Sequence, residues 1–186
     1  MALITFATKF QDKGQEEHPG FAETCWRWNT PEECSRCYAK KCTRIFKGCG
    51  PAWERNHALT DSELVKGITH YCTAYEPYYF RVNISGELTP GRFKAWVKIA
   101  KACPKTGFWG FTKETWVIGK VQPDNLFIQP NLLGKNYGKL SWCETMIAEN
   151  PTLYYLCPCY ADKKACSRTC FACMIKQDKT AIFVEH

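Results

Sequence analysis

Residues 78–102 read YYFRVNISGELTPGRFKAWVKIAKA, and the reading of this stretch decides the fold. Tyr78 to Ile84 is aromatic and β-branched, the composition of a strand. The pattern breaks at Ser85-Gly86-Glu87, where small residues leave the backbone free to turn. Thr89 then supplies an N-cap oxygen and Pro90 the preset φ of a first helical turn. Beyond them Phe93, Trp96, Val97 and Ala100 recur at helical spacing. A strand, a turn and a helix in succession predict one unit of a parallel α/β sheet.

Working outward, Phe108 to Thr112 and Asn125 to Gln129 read as two further strands, with a short helical piece from Thr115 to Gly119 between them. Upstream, Thr60-Asp61-Ser62-Glu63 is a capping box that opens a helix through Leu64, Ile68 and Tyr71, with His70 and Cys72 at its end as structural or surface residues. Pro51 starts a shorter helix through Trp53 and His57. Ile4 to Phe10 alternates like a strand, and Gln11 to Gly20 is polar and broken by Gly14 and Pro19. Ser141 to Glu149 reads as a short helix, and Thr152 to Leu156 and Thr180 to Glu185 as strands. Strands alternating with helices at these lengths predict a parallel sheet with right-handed crossovers. In such sheets the ligand site lies at the carboxyl ends of the strands, where Ser85-Gly86-Glu87 and Thr112-Lys113 both fall.

A chain of 186 residues, 45% of them hydrophobic and 15% aromatic, fits one globular unit. The expected layout is a core over residues 1–156 with a cysteine-rich segment, 157–186, packed on the same domain. Thirteen cysteines are the outlying number. The opening Met1-Ala2-Leu3-Ile4 runs into a polar, charged segment unlike a signal peptide, and no apolar run approaches the ~20 residues of a membrane span. So much cysteine without an export signal favours ligands over disulfides and a reducing compartment, the host cytoplasm. The formal net charge of +7 suits nucleic acid or another anionic partner, and its densest basic group, Arg36, Lys40, Lys41, Arg44 and Lys47, lies on one predicted helix.

The cysteines gather toward the two ends. Thr24 to Cys42 (TCWRWNTPEECSRCYAKKC) brings Cys25 to a Cys-x-x-Cys step at Cys34 and Cys37 across the turn Asn29-Thr30-Pro31-Glu32. Two thiolates at that gap can point at one ion, and a third narrows the choice to metal or iron–sulfur ligation; a reactive dithiol or thiols buried as small apolar groups are the alternatives. Cys42 shares the apolar side of the following helix, which ends at Gly48 and Gly50, and Cys49 at that stop is a spare ligand. Toward the other end, Cys157, Cys159, Cys166, Cys170 and Cys173 crowd into a short segment, where a cluster or a zinc ion would tie down an otherwise poorly packed tail. All-cysteine sites suit zinc and iron–sulfur clusters alike.

The phrases Cys34-x-x-Cys37-Tyr38-Ala39-Lys40, Arg81 to Glu87 (RVNISGE) and Phe111-Thr112-Lys113, closed by the cysteine-rich tail ending in His186, resemble the phage gene-product-eighty-eight family. That family looks like a distant, shortened relative of the radical S-adenosylmethionine enzymes. The resemblance implies an α/β fold built as a partial (β/α) barrel-like parallel sheet with a cysteine-rich C-terminal tail. It implies one or two 4Fe-4S clusters and an S-adenosylmethionine site, and it tilts the choice from zinc to iron. Cys25, Cys34 and Cys37 would hold the cluster that meets the cofactor, with a spacing, Cys25-x8-Cys34-x2-Cys37, that differs from those enzymes' signature. Ser85, Gly86 and Glu87 resemble the turn that receives the cofactor's amino group; a polar turn that starts a helix needs the same residues. Lys113 follows the family's Thr-Lys phrase, with a solvated lysine as the plain alternative. The rival class is a non-catalytic, metal-stapled protein that binds host nucleic acid or a host protein.

Overall fold

A computed structural model describes residues 6–7, 19–25, 37–130, 137–138, 140–149, 151–152, 154–156 and 180–184. In chain order they form β1 (Phe6–Ala7), β2 (Gly20–Ala22), α1 (Tyr38–Ile45), α2 (Cys49–His57), α3 (Asp61–Tyr75), β3 (Tyr79–Ser85), α4 (Pro90–Ala102), β4 (Gly107–Thr112), a 3-10 turn (Thr115–Val117) and β5 (Leu126–Pro130). After these come β6 (Tyr137–Gly138), α5 (Leu140–Glu149), β7 (Tyr154–Leu156) and β8 (Thr180–Val184).

The strand, turn and helix expected over residues 78–102 are all present as β3 and α4. Thr89 caps the helix by accepting from the Arg92 N–H at 3.2 Å, and Pro90 occupies its first turn. The capping box of α3 is complete, with the Glu63 carboxylate accepting from the Thr60 N–H at 2.8 Å and the Thr60 hydroxyl accepting from the Glu63 N–H at 3.2 Å. That helix runs past Cys72 to Tyr75 and stops where Glu76 takes a left-handed φ of 43°. Gly50 does not stop α1; it lies inside α2, because the chain turns at Lys47-Gly48 and is helical again from Cys49. The expected strand at Ile4 to Phe10 is described only at Phe6–Ala7. The end of the expected loop, Gly20, begins a strand instead: β2 is buried throughout, so its three residues carry no alternation to read.

β1 to β5 make one sheet in sequence order. β1 pairs antiparallel to β2, and β2, β3, β4 and β5 are parallel to their neighbours. When parallel strands follow sequence order, crossovers of the usual right hand all land on one face, as in a (β/α) barrel and unlike a doubly wound sheet. The core agrees with this rule. Phe80 and Val82 of β3, Phe108 of β4 and Leu126 and Ile128 of β5 share it with Leu64 and Ile68 of α3, Trp96 and Ile99 of α4, and Val117 of the 3-10 turn. Trp96, 0% exposed, sits 5.9 Å from the Phe21 ring, 5.9 Å from Phe80 and 6.2 Å from Phe108. Its burial is worth on the order of 3 kcal/mol. A second, three-stranded sheet has the order β6-β8-β7, with both pairs parallel.

Candidate functional site

The carboxyl edge of the parallel sheet is where chemistry-bearing residues collect. β2 ends into Glu23, Thr24 and Cys25; β3 ends at Ser85 and turns through Gly86 and Glu87; β4 ends at Thr112 and runs into Lys113. Backbone pairing continues past the strands: the Glu23 N–H donates to the Ser85 carbonyl at 3.1 Å, and the Ser85 hydroxyl donates to the Glu23 carbonyl at 3.0 Å. Gly86 has a φ of +102°, and a Cβ there would lie 2.5 Å from Glu23 Cγ and 3.3 Å from the Glu23 carbonyl oxygen. Only glycine meets both conditions. Gly86→Ala is therefore expected to destabilise the protein by about 2–3 kcal/mol, read as a lower urea midpoint; an unchanged midpoint would show the turn relaxing freely.

Glu87 is 6% exposed, and its carboxylate ties two strands together. Its oxygens accept from the Thr112 hydroxyl, from the Lys113 N–H at 3.0 Å and from the Leu88 N–H at 2.9 Å. The two motifs singled out from the sequence, Ser85-Gly86-Glu87 and Thr112-Lys113, are thus joined through one carboxylate. It is the Lys113 backbone, not its ammonium, that makes this bond. A carboxylate has about four acceptor positions, so three donors leave room for one more.

A second buried carboxylate, Glu23, was not legible as a site residue. It is 3% exposed, and its Oε2 meets Arg92 Nη2 at 3.1 Å and His57 Nδ1 at 3.6 Å. Arg92 also donates to Asp61 Oδ1 at 3.1 Å and to the His57 carbonyl at 3.3 Å. Asn56, 0% exposed, donates to the Ala22 carbonyl at 2.7 Å, and the Thr24 N–H donates to the Trp53 carbonyl at 3.2 Å. Together these bonds fix the point where the cysteine-bearing loop leaves β2. The available signal was Arg92 itself, a charge on the same helical stripe as Trp96 and Ile99.

Burial pushes the Glu23 carboxyl above its ordinary value near 4.5, against the opposing pull of Arg92 and His57. The native state therefore keeps a proton that the unfolded chain releases, and stability is lost as pH rises from about 4.5 through the folded value. Measured by urea unfolding across this range, wild type should lose stability relative to Glu23→Gln as the pH rises. A difference that stays flat or reverses would contradict the assignment.

Cys25 and Cys37 are half-buried, the first just past β2 and the second at the N-cap of α1. Cys37, Cys42 and Cys49 pack against Ala22, Ala39, Ala52, Trp53 and Ile84, beside the ends of β2 and β3. Cys42 lies close enough to Cys49 to help burial raise that thiol's pKa. Cys72 and Cys103 belong to the hydrophobic core, where burial and then Cys103 push Cys72 up to about 12. Cys37, Cys42, Cys49, Cys72 and Cys103 are free thiols. Among the described residues no three His, Cys, Asp or Glu side chains form a metal-sized group. Cys34 lies outside the described residues, as do Cys157, Cys159, Cys166, Cys170 and Cys173. Nor is any described helix long and apolar enough to cross a membrane.

Compared with known proteins, residues 12–141, more than two thirds of the chain, match the family model described as Gene product 88. No curated protein and no solved structure matches the chain.

Proposed function

The chain belongs to the phage Gene product 88 family, and on that footing we propose that it is an iron–sulfur protein related to the radical S-adenosylmethionine enzymes. Cys25, Cys34 and Cys37 hold a 4Fe-4S cluster at the carboxyl edge of the parallel sheet, and Ser85, Gly86 and Glu87 take S-adenosylmethionine, with Lys113 beside them. One observation carries this reading. The first parallel strand hands the chain to Cys25 within three residues, Cys37 packs against the apolar cluster that holds Ala22 and Ile84 from the ends of that strand and the next, and the next strand ends in the Ser-Gly-Glu turn. The donors fit the group, since Cys25 and Cys37 carry half-buried side chains outside the hydrophobic core, the soft thiolate type that a cluster takes.

Cys25, Cys34 and Cys37 would hold the cluster, which would supply the electron for reductive cleavage of S-adenosylmethionine. The chain's own residues do the holding. Gly86, lacking a side chain, lets a ligand approach the backbone closely, and Glu87, fixed by Thr112 and Lys113, keeps an acceptor position for an ammonium. The Glu23–Arg92 pair sets the take-off of the loop that carries Cys25. The tail cysteines Cys157, Cys159, Cys166, Cys170 and Cys173 would hold a second cluster, or zinc. In favour of a closed tail site, the segment that bears them starts and finishes on the adjacent strands β7 and β8. Such thiolates suit a reducing host cytoplasm.

A second reading makes the metal a staple and the protein a binder of host nucleic acid or a host protein. It draws on α1 and the turn after it, where Lys41, Arg44 and Lys47 are exposed beside Ile45 at 58% and Phe46 at 59% exposure. One experiment separates the two. Protein purified without oxygen should contain iron and sulfide, absorb broadly near the blue edge of the visible, bleach with dithionite, and convert S-adenosylmethionine to deoxyadenosine. Iron-free protein that binds DNA duplex with salt-sensitive affinity would sink the first reading and support the second.

A further inference from the structure

The face of the main sheet turned away from α3 and α4 carries Tyr79, Arg81 and Asn83 on β3, Trp109 and Phe111 on β4, and Gln129 on β5. Alternation places them there, since Phe80, Val82, Phe108 and Ile128 fill the core on the other face. Arg81 and Trp109 are direct partners in the β3–β4 register, and the guanidinium carbon lies 5.1 Å from the centre of the Trp109 ring. Three donors on this face, Arg81 Nε, Asn83 Nδ2 and Trp109 Nε1, are buried and have no hydrogen-bond partner among the described residues. Asn83 is 7% exposed and Trp109 8%.

A buried donor left unpaired forfeits its hydration with no return, so native proteins keep very few. Three on adjacent strands of one face, one of them on a permanent cation, are a cluster that awaits an acceptor. All three are nitrogen donors and one carries positive charge, so the complementary group is an anion made of acceptor oxygens. The aromatic neighbours Tyr79 and Phe111 lower the local dielectric and strengthen each such bond.

We infer that Arg81, Asn83 and Trp109 form a binding site for the oxyanion, carboxylate or phosphate, of a ligand that lies on the face of the sheet opposite α3 and α4. Asn83 stands two residues, about 7 Å, before the end of β3. A ligand anchored there extends to the carboxyl edge, where Glu87 and Cys25 stand. The site rests on the sheet alone and not on a bound cluster.

The test is thermal unfolding of the full chain in chloride, with sodium phosphate in one arm and sodium succinate in the other at matched ionic strength. One of the two anions should raise the midpoint above the chloride reference, and which one does so identifies the ligand chemistry. Asn83→Leu and Trp109→Phe should each weaken the anion's affinity tenfold or more. Both variants should unfold, without the anion, at or above the wild-type temperature, because each deletes an unpaired donor. No rise with either anion, a rise that survives both substitutions, or variants less stable than wild type without anion would overturn the inference. Iron content measured on the same samples keeps the outcomes separate: loss of the anion response with iron intact sinks this site and leaves the cluster standing.

Discussion

Arg92→Leu should lower the unfolding free energy by about 3–5 kcal/mol at neutral pH, because it strands a buried carboxylate. Glu23 is 3% exposed and faces Arg92 at 3.1 Å, while its other neighbour, His57, is 3.6 Å away on a half-exposed side chain. Burial already outweighs both neighbours, so the loss of the guanidinium meets no reserve. Two companion measurements make the cause specific. Adding Glu23→Gln should recover most of the loss, since the stranded charge is gone. Lowering the pH should shrink the single variant's deficit, since Glu23 then takes up a proton. A deficit independent of both would assign the effect to lost packing of the Arg92 stem.

The second large effect concerns iron. Cys37→Ser, purified without oxygen, is expected to lose at least half of the iron and sulfide of wild type, and Cys25→Ser the same. Cys72→Ala should keep all of it. Cys72 lies in the hydrophobic core beside Leu64 and Ile68 rather than in the apolar cluster that Cys37 joins, and burial pushes its thiol up to about 12. Cys25 and Cys37 are half-buried at the carboxyl edge. Iron analysis with the visible spectrum reads the outcome directly. Equal iron in all four proteins would remove these cysteines from the site, and equal loss in all three variants would make the effect one of folding.

Much of the fold follows from short-range signals. The capping box at Thr60, the Thr89-Pro90 start of α4 and the aromatic strand Tyr79–Ser85 each depend on residues within a few positions of one another. Local sterics and hydrogen bonding are enough to specify them. β2 escaped this logic because three buried residues carry no period, and the restart of α2 escaped it because glycine is tolerated inside a helix that packing supports.

The sequence by itself determined that strands and helices alternate, that Ser85-Gly86-Glu87 and Thr112-Lys113 end successive strands, and that the thiols lie toward the termini. Only the tertiary structure decided that the parallel strands lie in sequence order with α3 and α4 on one face, that Glu23 meets Arg92, and that Arg81, Asn83 and Trp109 share the other face. The physical reason is range. A cap or a turn is settled by neighbours along the chain, whereas a buried ion pair between residues 23 and 92 exists only once the intervening strand and helices have packed.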